Sequence, residues 1–323
     1  MQKKRISDPT NLKHATSQSI NGYEPLVSRL DFLTQTTRLS SISCSVPAKG
    51  SDLVLSLEAP LMTRLPFDAS MTPVVREQFL SELKDFGFAW VGNRPTQNQD
   101  SLRRIAPLKI DEPIDFDALE NASAVELQLY GQAFCSLPSS RLAKWSPSLP
   151  IEIFRFEQLA KKVDCLRMLT HGNCVIGAAV SPGAVYDDVR FIVDSGFDYL
   201  TLLVDVQFEL SVSGNRNLAE LEQTIELARK AVSDAGAKAK ILVSANLCSA
   251  VEMFRCLQNG VTAVTIDGYL ASQKPIETTP TKDSYSSILS YAAPTASSFG
   301  WVKNAVTRLI LELEDCRTYA GAF

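Results

Sequence analysis

The amino-acid sequence predicts an α/β fold: a TIM (β/α)8 barrel with an irregular N-terminal extension and a C-terminal amphipathic helix. Gly87, Gly196, Gly236 and Gly260 each end a helical pattern and are followed within a few residues by an apolar, β-branched run. We expect these glycines to be helix C′ residues with positive φ, so that helix, glycine and strand follow one another. Most of the runs are apolar on both faces, which is typical of a parallel sheet covered by helices.

The N-terminal half supplies the less regular elements. Residues 1–50 are polar and rich in Ser and Thr, and we predict an extension that lies against the barrel or is partly disordered, with the barrel itself at 51–323. Three apolar runs in this half predict strands, and a fourth strand in a Pro- and Ser-rich stretch brings the barrel to its full number. These four segments are residues 53–62, 88–92, 124–130 and 136–153.

The C-terminal half shows the alternation most clearly. Its strands are predicted at residues 174–180, 199–204, 240–244 and 263–266. Two helices between them have one apolar face each, formed by Val185, Val189, Ile192 and Val193 and by Leu218, Leu221, Ile225 and Val232. A last amphipathic helix, 301–319, carries an apolar stripe of Val302, Val306, Leu309, Ile310 and Leu313. A doubly wound sheet is the alternative, but neither G-x-G-x-x-G nor G-x-x-x-x-G-K-[ST] follows any of these strands.

Composition and charge exclude several classes of function. The chain has 323 residues, 45% of them hydrophobic, and a net charge of −4 with no long run of either sign. This charge predicts no nucleic-acid partner and no membrane surface, and no window approaches the ~20 apolar residues of a membrane span. We therefore expect a soluble, cytoplasmic protein.

Cysteine and histidine usage limits the chemistry. The seven cysteines are scattered without a C-x-x-C pair, a spacing that fits neither a disulfide framework nor a zinc or iron–sulfur site. His14 and His171 are the only histidines. Two histidines give little support to a Ser-His-Asp triad, a Cys-His pair or a multi-histidine metal site. We predict no metal site, and we expect any chemistry to depend on a cofactor.

Several segments, in order, resemble the flavin mononucleotide (FMN) barrel of the glutamate synthases. "APLMTRLPFDAS" is similar to that family's first strand and flavin-facing loop, and "VELQLYGQAF" to its I-E-I-K-I-G-Q-G-A-K-P-G segment. "VIGAAVSPGAVYDDV" resembles V-G-V-K-I-x-x-G-x-V-E-D-D-V, and "ILVSANLCSAVEMFRCLQNGVTAVTIDGYL" resembles the family's phosphate-binding unit. The resemblance covers residues 53–322. It implies an FMN cofactor and a glutamate synthase-like oxidoreductase.

The resemblance also implies where the cofactor would bind. It carries over to Met62, Gln132, Ser181, Gly183, Ser244, Asn246 and Gly268. It assigns no catalytic residue. Gln132 is equally interpreted as a surface amide, and 181–183 as an ordinary strand-to-helix turn. Ser249 and Glu252 have the spacing of a capping box, so we expect the helix N-terminus of the phosphate-binding unit to be kept.

Several positions depart from the family pattern. Ala179 stands where the family has a lysine that would help to hold negative charge on the reduced flavin. Ala245 and Asn246 replace the glycines that let backbone N–H groups approach a phosphate. Asp267 brings a carboxylate near that phosphate, a repulsion of roughly 1 to 4 kcal/mol at ~4 Å. These changes predict that FMN binding is weak or lost.

Three functional hypotheses remain. We expect no complete glutamate synthase activity from this chain, because it has neither an N-terminal cysteine nucleophile domain nor cysteines for an iron–sulfur cluster. The first hypothesis is a small flavin-dependent oxidoreductase served by partner chains. The second is a non-catalytic barrel, a pseudoenzyme, which binds a small molecule at its C-terminal face or a protein partner. The third is an enzyme repurposed around the strand-end carboxylates of Asp205, Glu209 or Asp267, although strand-end Asp is also a common helix cap.

Overall fold

The structure is a computed structural model that describes residues 44–49, 53–64, 73–92, 102–109, 114, 116–119, 121–129, 159–181, 184–204, 218–273 and 299–321. All of them belong to one compact unit, 39–323. Gln132 and Gly183, which the sequence assigns to the cofactor site, lie outside the described residues, as do Asp205 and Glu209. The division at residue 50 stays a prediction.

Eight parallel strands form a closed barrel, so the predicted TIM barrel is confirmed and the doubly wound sheet is excluded. An antiparallel hairpin, β1 (Cys44–Pro47) and β2 (Val54–Leu57), precedes it. The barrel closes where β10 pairs with β3, with Val264 opposite Leu61. Its strands are β3 (Leu61–Thr63), β4 (Ala89–Val91), β5 (Arg103–Lys109), β6 (Ala124–Gln128), β7 (Val175–Val180), β8 (Tyr199–Leu203), β9 (Lys240–Ser244) and β10 (Ala263–Thr265).

Helices connect the strands and cover the outside of the barrel. In chain order they are α1 (Pro73–Leu83), α2 (Phe116–Leu119), α3 (Leu159–Leu169), α4 (Val185–Asp194), α5 (Leu218–Asp234), α6 (Ala250–Gln258), α7 (Asp267–Gln273) and α8 (Gly300–Gly321). The predicted C-terminal helix is confirmed as α8, and its apolar stripe is buried. Among the helices that the structure describes, none has the length and apolar character needed to cross a membrane.

The glycines that predicted the helix-to-strand junctions behave as expected. Gly87, Gly196, Gly236 and Gly260 all have positive φ, between 61° and 91°. The requirement is strictest at Gly87, where a Cβ atom would also lie 2.5 Å from the Cγ atom of Glu58. The helix–glycine–strand pattern therefore reports a real backbone conformation that L side chains rarely adopt.

Two strand predictions were wrong. The sequence predicts one barrel strand within 136–153, which lies outside the described residues. In the closed barrel, its place between β4 and β6 is taken by β5. Its sequence, RRIAPLK, contains three cations and a proline, so it lacks the continuous apolar run of the other strands. The predicted strand 53–62 is two strands, because the chain bends at 58–60 between β2 of the hairpin and β3 of the barrel.

The interior of the barrel is closed at its N-terminal end by the hairpin. Val46, Leu55 and Leu57 pack with inward-facing residues of the strands, among them Tyr199 and Leu242. Alternate residues of each strand face outward and pack against the helices. The interior is thus filled with side chains, and the C-terminal ends of the strands form the open mouth where barrel proteins place their sites.

A buried carboxylate fastens the hairpin to the barrel. Asp198, 3% exposed, accepts hydrogen bonds from the backbone N–H groups of Lys49 (2.6 Å) and Ile176 (2.8 Å). The guanidinium of Arg167 donates to both of its oxygens, at 2.8 and 3.1 Å. Because all these donors meet one side chain, the hairpin, β7 and α3 are linked through a single residue at the end of the barrel opposite the mouth.

Candidate active-site mouth

Four residues of the predicted cofactor site lie on one side of the barrel mouth. Met62 of β3 is opposite Thr265 of β10 and its carbonyl accepts from Ile266 N at 2.9 Å, while Ser244 ends the neighbouring strand β9. Asn246 belongs to the turn that follows β9, and Gly268 to the first turn of α7, which follows β10. The strand order β9-β10-β3 therefore brings these positions together. A fifth, Ser181, is buried after β7, two strands away from Ser244.

The capping box at the start of α6 is confirmed. Ser249 Oγ accepts from Glu252 N at 3.3 Å, and Glu252 Oε2 accepts from Ser249 N at 3.1 Å. The same carboxylate oxygen also accepts from Cys248 N, at 2.7 Å. A negatively charged side chain thus already sits on two backbone donors at the positive end of the helix dipole.

The turn between β9 and α6 has further backbone donors satisfied by the protein. Ala245 N donates to Thr265 Oγ1 at 3.2 Å, and the Thr265 hydroxyl is also within 3.2 Å of Ala245 O. Leu247 N donates to Ala245 O at 2.8 Å. An incoming phosphate would have to displace these internal acceptors, since each N–H carries a single hydrogen.

The space between the two phosphate-side turns is filled. A Cβ atom on Gly268 would lie 2.7 Å from Leu247 O and 2.8 Å from the carbonyl carbon of Asn246, and it would overlap Asn246 Oδ1. The carboxamide of Asn246 therefore lies directly against Gly268. Cys248 Sγ, 3.4 Å from Gly268 O, adds a second contact between the turns. A glycine at 268 therefore allows the start of α7 to pack closely against the turn after β9.

Asp267 joins the ends of β10 and β3. Its Oδ1 accepts from Thr63 Oγ1 at 2.6 Å, and its Oδ2 accepts from the backbone N–H of Arg64 at 2.8 Å. Both carboxylate oxygens are therefore used in holding adjacent strand ends together. No group of three or more His, Cys, Asp or Glu residues suited to a metal ion occurs in the described part of the chain.

An ion pair inside the barrel was missed by the sequence analysis. Arg64 Nη1 lies 2.6 and 2.9 Å from the two carboxylate oxygens of Glu126, and Thr201 Oγ1 donates to Glu126 Oε2 at 2.7 Å. The side chains of Arg64 and Glu126 are only 9% and 0% exposed. The available signal was Glu126 itself, the only charged residue of an apolar strand, since a charge buried in a barrel must be paired.

The position of the family's lysine has no cation nearby on its own strand. Ala179 is buried near the end of β7, with Gln128 and Thr201 opposite it on the flanking strands. Deeper in the barrel, Tyr199 fills the space beside Gly177. Burial raises the pKa of Tyr199 well above its ordinary value, and the charge of Glu126 raises it further. Tyr199 is therefore a neutral core residue.

The turn after β9 is a poor fit for the phosphate of FMN. Bare backbone N–H groups are the usual equipment for a phosphate. Here those of 245, 247, 248 and 249 each donate to an acceptor of the protein itself. The capping box confirms that the helix N-terminus of this unit is kept, whereas weak or lost FMN binding stays a prediction.

Comparison with known proteins establishes the fold. No family model matches the sequence, and no curated protein sequence matches it. A mandelate oxidase with 2-hydroxy-phenylacetamide matches with a TM-score of 0.53 and 13% identity, over 88% of this chain and 79% of that chain. A lactate oxidase from Pediococcus acidilactici matches with a TM-score of 0.52 and 16% identity, over 87% and 76%. A mandelate oxidase variant with a C4a-OH-FMN adduct matches with a TM-score of 0.51 and 14% identity, over 88% and 84%.

These identities support likeness of fold alone. One of these neighbours carries an FMN adduct, and what this chain shares with it is the barrel architecture. Membership of the glutamate synthase family in particular stays a prediction. The chain shares its closed barrel with these oxidases.

Proposed function

We propose that this chain is a divergent glutamate synthase-like barrel that has lost FMN binding and acts as a non-catalytic binding barrel. Its ligand would be a small molecule at the C-terminal face or a protein partner. One observation carries the proposal: the carboxamide of Asn246 lies directly against Gly268, between the two segments where the resemblance places the phosphate. A barrel that cannot anchor its flavin lacks the group that carries electrons in a flavin enzyme.

The energies favour exclusion of FMN. A phosphate entering between the turns would displace Asn246 and approach the Asp267 carboxylate, a repulsion of roughly 1 to 4 kcal/mol at ~4 Å. It would also break hydrogen bonds that Glu252 makes to the amides of Cys248 and Ser249. Each such bond to a charged group contributes about 1.5 to 3 kcal/mol. The phosphate would regain bonds of similar strength from the same amides, so the repulsion by Asp267 and the displacement of Asn246 remain as net costs.

The visible spectrum of the purified protein tests the proposal. We expect a colourless, folded protein, because no flavin is retained. Titration of FMN and of riboflavin against the protein, followed by quenching of flavin fluorescence, should give equally weak or undetectable binding of both. The comparison isolates the phosphate, the group in which the two flavins differ.

Two results would contradict the proposal. A yellow protein with flavin at one equivalent per chain would show that the cofactor is retained. FMN binding at least ten-fold tighter than riboflavin binding, about 1.4 kcal/mol, would show that the phosphate is anchored. A folded mandelate or lactate oxidase prepared in the same way serves as the positive control for flavin retention.

A further inference from the structure

We infer that two carboxylates of this chain, Glu252 and Asp267, act as built-in anions that close the phosphate side of the barrel mouth. The inference rests on the proposed function and identifies the residues that determine it. The phosphate side is here defined as the turns after β9 and β10 with the end of β3. The protein's own carboxylates thus occupy the backbone donors of the phosphate side.

Glu252 has the contacts of a bound anion. Its Oε2 atom accepts from two consecutive backbone N–H groups, those of Cys248 (2.7 Å) and Ser249 (3.1 Å). A capping box requires only the second of these bonds. The first extends the contact beyond the helix, into the turn from β9, where main-chain amides would otherwise point towards an anion.

Asp267, the first residue of α7, also accepts hydrogen bonds as a bound anion would. It accepts from one backbone N–H, that of Arg64 at 2.8 Å, and from one hydroxyl, that of Thr63 at 2.6 Å. These are the donor types that bind phosphate oxygens. The two carboxylates belong to adjacent βα units, and the Asn246 side chain packs between the units against Gly268.

Intramolecular carboxylates compete strongly with a free anion. Each is tethered within hydrogen-bonding distance of its donors, so it acts at an effective concentration that a dissolved anion at millimolar level does not reach. The class of ligand follows from this competition. Phosphate esters and other oxyanions are rejected on this side of the mouth, which accepts uncharged or cationic groups.

Inorganic phosphate is the probe for the test. Thermal unfolding is measured against phosphate concentration, with chloride at matched ionic strength as the reference, for the wild type and for Glu252→Ala/Asp267→Ala. We expect phosphate to raise the Tm of the wild type only by the gradual, non-saturating effect of an excluded salt. We expect the double variant to show a saturable rise in Tm with phosphate, because its amides have lost their internal acceptors. Asp194→Ala/Asp234→Ala removes two exposed carboxylates elsewhere and should behave as the wild type does.

The outcomes separate the inference from the proposed function. A wild type that phosphate stabilises specifically, or a folded double variant that remains insensitive to it, overturns the inference. If the double variant does not fold, the single variants Glu252→Ala and Asp267→Ala decide in its place, since each removes the acceptor from its own backbone donors only. FMN at one equivalent in the wild type overturns the proposed function as well. Phosphate-insensitive variants leave the proposed function standing.

Discussion

Replacing Arg64 with Met should destabilise the barrel more than any exposed charge change. Arg64 Nη1 is the cation that pairs with Glu126, whose side chain is 0% exposed, at 2.6 and 2.9 Å. Met has a similar length and no charge, so the substitution removes the cation while largely keeping the volume. Glu126 would keep its bond from Thr201 but would become a buried charge without its counter-ion.

The expected magnitude follows from the burial. Breaking a fully buried ion pair by removing one partner typically costs about 3 to 5 kcal/mol, because the remaining charge is left in a medium of low polarity. Arg64→Met/Glu126→Gln removes both charges and retains the hydroxyl contact of Thr201. Its cost should fall to about 1 to 2 kcal/mol, the range of ordinary hydrogen-bond losses. The double variant should therefore be more stable than the single one.

Urea unfolding followed by circular dichroism measures these free energies. Arg190→Met is the matched control, because Arg190 pairs with Asp194 at 2.9 Å but both side chains are well exposed. Its loss should be about 0.3 to 0.5 kcal/mol, as for exposed pairs four residues apart in a helix. The reasoning is refuted if Arg64→Met is no more destabilising than Arg190→Met, or if adding Glu126→Gln restores no stability.

Three further perturbations test other parts of the structure. Asp198→Asn should lower the free energy of unfolding by about 1.5 to 3 kcal/mol in urea titration, because charge-assisted bonds to the hairpin and α3 are weakened. Gly177→Ala should destabilise by about 1 to 3 kcal/mol through overlap with the Tyr199 ring, with partial recovery in Gly177→Ala/Tyr199→Leu. Burial raises the pKa of the Cys174 and Cys256 thiols from 9.0 to about 11 and about 12. The unfolded chain therefore loses these protons first, and stability should fall from pH 9 towards pH 11 by up to about 1.4 kcal/mol per pH unit per thiol, a slope that alanine at both positions removes.

The regular part of the fold was predictable because it rests on local signals. A glycine with positive φ and an apolar run within the next few residues lie close together in the sequence, and each has one dominant structural meaning. Strand β5 gave no such signal. Arg103 and Lys109 are exposed at its ends, whereas Arg104 is buried on the outward face, so its charges hide the alternation. The hairpin was missed for a related reason, since β2 and β3 form one apolar run in which only 58–60 mark the bend.

The site was predictable only where it departs from a motif. Asn246 and Asp267 stood out because other residues are usual at those positions, and both lie at the turns where the resemblance placed them. The partners of these residues were not predictable. Asp267 binds Thr63 and Arg64 from across 204 and 203 positions of sequence. These groups come together only because β10 pairs with β3 and closes the barrel. The hydrophobic periodicity of the sequence gives no sign of that pairing.

Loss of a cofactor creates a structural need at the place where it was bound. Backbone N–H groups that a phosphate once satisfied would be left without acceptors, and a buried unsatisfied donor costs about 1 to 3 kcal/mol. In this chain Thr265, Glu252 and Asp267 accept hydrogen bonds from backbone N–H groups at the mouth. The donors are, in turn, Ala245, Cys248 and Arg64. Under the proposed function, the substitutions that weaken anion binding would therefore also keep the mouth folded without a ligand. A barrel stabilised in this way does not depend on a cofactor for its stability, so its mouth is available to another ligand.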